Sequence, residues 1–306
     1  MIASSSSHSR LVIPSLALLM ITAPATIHAA PGQNAGKDDP TPVADKNSAH
    51  APQASDDDDL TIDPAEPDYT LVSLPTSLRL PRFKSAFRVT HRFAEPLTGN
   101  FGDLASNFFS LDSGAQIGLE YRFGIVRNGE VGIHRTSDRT IEFFGQYGVV
   151  GQGPARPLDL SVLVSVDGTN NFRDQHTPAV GAIVSHKFSE RGALYVEPTW
   201  VHHANLQLAS LPQSSSAASN NTFMVGLGGR VRVRPTVTVV AEYSPRLSGF
   251  RPGVNHGSFA IEKRAGGHVF QLNFSDSSAT TMGQIARGGP ASKDWFMGFN
   301  ISRKFY

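Results

Sequence analysis

AQIGLEYRF, residues 115–123, alternates strictly: Ala115, Ile117, Leu119, Tyr121 and Phe123 share one parity, and Gln116, Glu120 and Arg122 the other. Successive side chains of a β-strand point to opposite faces, so this stretch reads as a strand with one greasy face and one charged face. The same pattern recurs along the chain. Phe83, Phe87, Val89 and Phe93 oppose Lys84, Arg88, Thr90 and Arg92, and Ile141, Phe143, Tyr147 and Val149 oppose Thr140, Glu142 and Gln146. Leu194, Val196 and Trp200 oppose Glu197, Thr199 and His203, while Phe223, Val225, Leu227, Val231 and Val233 oppose Arg230 and Arg232. At the end, Trp295, Met297, Phe299, Ile301 and Phe305 oppose Asn300, Ser302 and Lys304.

This period predicts strands near 82–94, 113–124, 127–136, 138–149, 157–167, 178–189, 192–204, 221–234, 236–247, 257–263, 267–275 and 295–305. Most have the ~9–11 residues that a tilted strand needs to cross a bilayer; 257–263 is the weakest of them. A soluble barrel would have to fold the aromatic residues of strand after strand into its interior, which they would overfill. Turned outward to lipid they meet no such limit. The expected fold is therefore all-β: an antiparallel up-and-down transmembrane β-barrel of about 12 strands with a disordered N-terminal segment.

Connection lengths support it. Every second connection (95–112, 137, 168–177, 205–220, 248–256, 276–294) is long, apart from the tight one at Ser137, and the others (125–126, 150–156, 190–191, 235, 264–266) are mostly short. Outer-membrane barrels show this asymmetry, with long loops outside and short turns in the periplasm. An even strand number returns the C-terminus to the periplasm.

Composition bounds the rest. The 306 residues carry 27 Lys+Arg against 26 Asp+Glu, so no basic field exists for nucleic acid. Cysteine is absent, which removes disulfides, thiolate metal sites and a Cys nucleophile. Arg10 followed by the apolar run Leu11–Ala23 and small residues near Ala29 and Ala30 reads as a signal peptide over 1–30. Residues 31–80 read as a disordered acidic and Pro-rich periplasmic segment, with Asp56–Asp59 as a solvated charge run. The barrel occupies 81–306, and the expected location is the cell outer membrane of a Gram-negative bacterium.

The inward-facing charges are the candidate lumen-lining residues: Arg88, Arg92, Glu120, Arg122, Glu142, Glu197, Arg230, Arg232 and Glu242. Charges inside a narrow barrel must be paired or wet. The choice lies between a closed, paired lumen and a small charge-lined channel. No metal or cofactor is expected: His202 and His203 are adjacent and point to opposite faces, and His176 and His256 fall on loops. His256-Gly257-Ser258 resembles the His-x-Ser pair of outer-membrane acyl hydrolases, but by parity Ser258 shares a face with Glu262, away from lipid, so no catalytic residue is assigned. The chain ends Phe305-Tyr306, close to the terminal aromatic signature read by the outer-membrane insertion machinery.

Several strings carry a resemblance: THRFAEP (90–96), FFSLDSGAQIGLEYRFGI (108–125), GIHRTSDR (132–139), SHKFSERGALYVEPTWVHHAN (185–205), GGHVFQLNFSDS (266–277) and MGFNISRKFY (297–306). Together they resemble an uncharacterised family of bacterial outer-membrane β-barrel proteins, a domain of unknown function, over roughly residues 80–306. That resemblance implies a barrel and no activity. The expected role is non-enzymatic, a narrow porin-like solute channel or a structural or interaction barrel, with membrane lipid and the insertion machinery as partners. The alternatives are a lipid hydrolase at His256 and Ser258, or docking of an outside partner on the Ser/Asn-rich loop at 205–221.

Overall fold

The alternating stretches form one antiparallel sheet in the computed structural model, which describes residues 63–97, 101–106, 108–111, 114–206, 220–290 and 294–306. The strands are β1 (Ser85–Phe93), β2 (Ala115–Val126), β3 (Gly129–Thr136), β4 (Ile141–Val150), β5 (Asp159–Gly168), β6 (Asp174–Lys187), β7 (Gly192–Val201), β8 (Thr222–Arg234), β9 (Val237–Ser244), β10 (Arg246–Gly249), β11 (His256–Ala265), β12 (His268–Ser275) and β13 (Phe296–Phe305). Each pairs with its chain neighbour except β10, which pairs only with β8, and β1 pairs with β13 (Val89 opposite Ile301), which closes the sheet. β9 and β10 are one stave interrupted at Pro245, which has no N–H to give the ladder. β9 pairs with β8 and β11, while β10 continues along β8 after a register shift. The result is a closed barrel of twelve strands.

The two faces separate as alternation requires. Tyr121, Phe143, Val164 and Ile261 are 44–55% exposed on the outside, whereas Arg92 and Arg230 are 0% exposed on the inside. The large rings Phe87, Tyr121 and Phe143 lie on the outer surface, not in a dry centre.

Three expectations need correction. The weakest predicted strand, 257–263, is a ten-residue stave, and His256 opens it instead of lying on a loop. β6 begins at Asp174, so the preceding loop is shorter than 168–177. Most consequentially, residues 63–80, expected to be disordered, are ordered and almost wholly buried inside the barrel. They form a hairpin: Thr70 bridges Pro75, the Thr76 N–H donates to the Tyr69 carbonyl at 2.9 Å, and the Leu71 N–H to the Leu74 carbonyl at 2.8 Å. Residues 1–62, which include the expected signal peptide and acid run, lie outside the described residues, as does the core of the Ser/Asn-rich loop, 207–219.

Candidate functional site: a plugged lumen

The lumen is built from wall, hairpin and one infolded loop. The hairpin enters from the end of the barrel that carries the short turns. There the Lys187 ammonium lies 3.0 Å from the Asp63 carboxylate and 3.6 Å from Glu66, and Tyr195 donates to Glu66 at 2.6 Å. Burial alone would raise the Asp63 carboxyl; the hydrogen bond and charge of Lys187 outweigh it and hold it below the ordinary carboxylate value. On the returning leg, Arg79 pairs with Asp159 and donates to the Val150 carbonyl at 2.7 Å. The Leu80 N–H donates to Glu130 at 3.1 Å.

The tip, Leu71–Leu74, reaches deep into the barrel. Its three successive N–H groups, from Val72, Ser73 and Leu74, donate to the Glu242 carboxylate at 2.9–3.1 Å. A concave run of backbone N–H groups is an anion site, and here the wall supplies the anion. Glu242 also accepts from Ser258 at 2.7 Å and lies 3.2 Å from His256 Nε2. The tip's carbonyls are met as well: Gln271 donates to Leu71 at 2.8 Å, Asn300 to Val72 at 3.0 Å, and Arg230 to Thr70 at 2.6 Å. The apolar tip side chains need room, and the wall gives it by omitting side chains. A Cβ on Gly228 would fall 2.1 Å from Leu71 Cδ1, and one on Gly226 2.9 Å from Leu74 Cδ1.

From the opposite end, the long β12–β13 connection folds inward as a short helix, Met282–Arg287, whose first five residues are buried. Thr281 caps it in a reciprocal capping box with Gln284. The Glu142 carboxylate accepts from the Met282 N–H at 3.1 Å, and Asp167 accepts from Thr281 Oγ1 at 2.6 Å. Hairpin and loop meet where Ser73 Oγ donates to the Ala279 carbonyl at 3.1 Å. Leu71, Val72 and Leu74 share one buried apolar cluster with Ala279, Met282 and Ile285.

Of the nine residues expected to line the lumen, eight are buried on the inner wall. Arg88, Glu120 and Arg122 form a chain that continues to Glu130: Arg88–Glu120 is 2.8 Å, Arg122 pairs with Glu120, and Arg122–Glu130 is 2.7 Å. Arg92 holds Asn300 at 2.8 Å. Glu142, Arg230 and Glu242 hold the loop helix and the hairpin, as described. Glu197 is buried with both carboxylate oxygens free of any protein partner. Arg232 is the exception: near the end of β8 it sits at the rim, half-buried, 3.2 Å from Glu190.

The His256 and Ser258 pair does not form a nucleophile and base. Both side chains face the buried interior, and the Ser258 hydroxyl donates to Glu242. His202 Nδ1 lies 2.5 Å from Asn221 Oδ1 and His203 Nδ1 lies 3.3 Å from the His176 carbonyl, and no group of three metal-ligating side chains occurs among the described residues. Sequence reasoning missed the hairpin itself and the residues that hold it: Gln271, Asn300, Tyr195 and the inner-face glycines. Two signals were there to read. YTLVSLPTSLRL (69–80) is too apolar for a disordered linker, and VGLGG (225–229) puts glycines at successive inward positions of β8.

A closed sheet that is apolar outside and charged within defines a transmembrane β-barrel. A family model described as a membrane-bound beta barrel domain (DUF5777) matches residues 70–305, and the chain belongs to that family. Among solved structures the chain is similar to a NanC porin (TM-score 0.48, 7% identity, covering 73% of this chain and 99% of that one). It is also similar to the Acinetobacter baumannii outer membrane protein Omp33 (TM-score 0.41, 9% identity, 73% and 99%) and to the outer membrane channel DcaP of the same organism (TM-score 0.30, 11% identity, 72% and 72%). A search of curated proteins gave no match.

Proposed function

We propose that this protein is a non-enzymatic solute channel of the outer membrane that rests closed, with the hairpin 63–80 as its plug and the β12–β13 loop as its outer cover. The observation that carries the reading is the polarity of the plug's seat. The hairpin tip is held by Glu242, Gln271, Asn300 and Arg230, not by an apolar wall alone. Each of these groups is as well served by water, so the wall stays soluble when the hairpin leaves. A wall meant only to be rigid would carry no groups such as Glu197, whose carboxylate the closed barrel leaves without a protein partner and which water would solvate.

The orientation follows the connection lengths: the short turns and both ends of the described chain lie at the periplasmic side and the long loops outside. Membrane lipid meets the outer face. Phe305, 45% exposed on the last strand, is the aromatic offered to the insertion machinery. Heat-modifiability reports a folded barrel independently of current, so the gate can be tested in place. In planar bilayers the intact protein should pass little current. Glu242→Ala strips the acceptor from three buried N–H groups, a loss of about 3–5 kcal/mol to hairpin docking, and should raise open occupancy by two orders of magnitude or more. Equal conductance of the two proteins, both heat-modifiable, would defeat the proposal.

A further inference from the structure

The exposed charges of the barrel divide unequally between its two ends. At the end with the short turns they are Arg82, Arg127, Arg156, Arg191, Arg234, Lys263 and Arg303, against Glu190 as the one exposed acidic side chain there among the described residues. At the other end Arg135, Arg139, Arg173 and Arg251 are matched by Glu95, Asp103, Asp138 and Asp174. The carboxylates near the short turns are engaged or turned inward. Glu190 meets Arg232 at 3.2 Å, Asp63 and Glu66 meet Lys187, Asp159 meets Arg79 and Glu130 meets Arg122. Asp68 and Glu262 are buried in the lumen. The Tyr306 carboxylate offsets one of the bases and leaves that rim strongly positive.

The patch sharpens on β11, β12 and β13. Arg303 stands opposite His268 of β12, and His268 lies diagonally across from Lys263 of β11, whose direct partner is Phe270. Side chains opposite one another on a sheet face lie about 5 Å apart and diagonal ones about 7–8 Å. Lys263, His268 and Arg303 share the parity of Ile261, Phe270 and Ile301, so they stand on the outer surface that meets lipid, with Lys263 and Arg303 exposed. Lys263 Nζ donates to the neutral Thr236 hydroxyl at 2.7 Å, and the Arg303 guanidinium carbon lies 5.4 Å from the centre of the Phe305 ring. Neither contact neutralises a charge. Basic heads at the edge of an apolar face match a molecule with negative charge at one end and hydrocarbon at the other.

We infer that this patch binds an anionic phospholipid of the adjoining leaflet, its phosphate against Lys263 and Arg303 and its acyl chains along Ile261, Phe270 and Leu272, all exposed on the outer face. An acidic protein or polysaccharide would bring the charge without the hydrocarbon. The inference needs the membrane barrel alone and holds whether or not the lumen conducts. The orientation given above serves only to make the leaflet the periplasmic one.

Native mass spectrometry of the full-length protein in a non-ionic detergent counts bound lipids directly. Phosphatidylglycerol and phosphatidylcholine with identical acyl chains differ in net headgroup charge, and phosphatidylglycerol should bind at least tenfold more tightly. Lys263→Gln combined with Arg303→Gln should cut that preference at least fivefold. Arg135→Gln combined with Arg139→Gln removes the same charge at the opposite end and should leave the preference unchanged. Each single change, Lys263→Gln or Arg303→Gln, should give part of the loss, which keeps the test open should the double variant fail to fold. Equal binding of the two lipids, an unchanged preference without Lys263 and Arg303, or an equal loss without Arg135 and Arg139 would overturn the inference. Displacement of the lipid by an equal concentration of glycerol 3-phosphate, which has the phosphate and no chains, would overturn it too. So would binding that begins only after Asp56–Asp59 are changed to asparagine, because the chain's own acid run would then be the occupant.

Discussion

At the scale of single residues, what this barrel leaves out matters as much as what it contains. Gly228 and Gly226 are not turn glycines; they are gaps in the inner wall into which Leu71 and Leu74 of the hairpin fit. Their side-chain parity is inward, so a larger residue there meets the plug and leaves the outer face untouched. Gly228→Val should expel Leu71 and unseat the tip, and protease cleavage within 63–80 should rise in detergent-purified protein while the barrel keeps its heat-modifiable mobility. Cleavage equal to that of the unaltered protein would show that Leu71 does not depend on the gap. The alternation that placed Arg88, Glu120, Arg122 and Glu242 inside was plain in the sequence, because it is a local property of each strand. Their partners were not, because Arg88–Glu120 and the Glu242 clamp join residues far apart in the chain.

At the scale of elements, the strands were legible and the hairpin was not. Strand after strand alternates an apolar outer face with a more polar inner one, and even the weak one, 257–263, proves to be a full strand once Ala260 and Glu262 are seen to face inward. The hairpin hid behind its neighbours: an acidic, proline-rich stretch precedes it, and that composition was extended over Leu71, Val72 and Leu74, whose burial depends on a cylinder that closes only later in the chain. Its root carries a charge clasp with a defined pH sense. Asp63 is held below its ordinary value, so the clasp is fully present above that ordinary value, near 3.8, and is lost as pH falls through the lowered one. Bilayer current should therefore rise in strong acid. Asp63→Asn should remove that part of the acid response, and an identical acid profile in Asp63→Asn would place the response elsewhere.

At the scale of the whole molecule, two separations organise the structure: apolar outside from charged inside, and wall from plug. The first makes it a membrane barrel. The second fills the lumen with a hairpin from one end and a loop helix from the other, which meet at Ser73 and Ala279. Ser77 of the returning hairpin leg and Ser185 of β6 bring their hydroxyl oxygens within 2.5 Å, and the chain has no cysteine of its own. Replacing both by cysteine therefore puts one disulfide, and no other, between plug and wall, at a side-chain separation that a disulfide can span. The measurement is bilayer current through this double variant in the Glu242→Ala background, oxidised and then reduced. The plugged-lumen account predicts that the disulfide forms, that the oxidised barrel stays shut, and that reduction restores the current. Failure of the two cysteines to join, or equal current in both states, would contradict it.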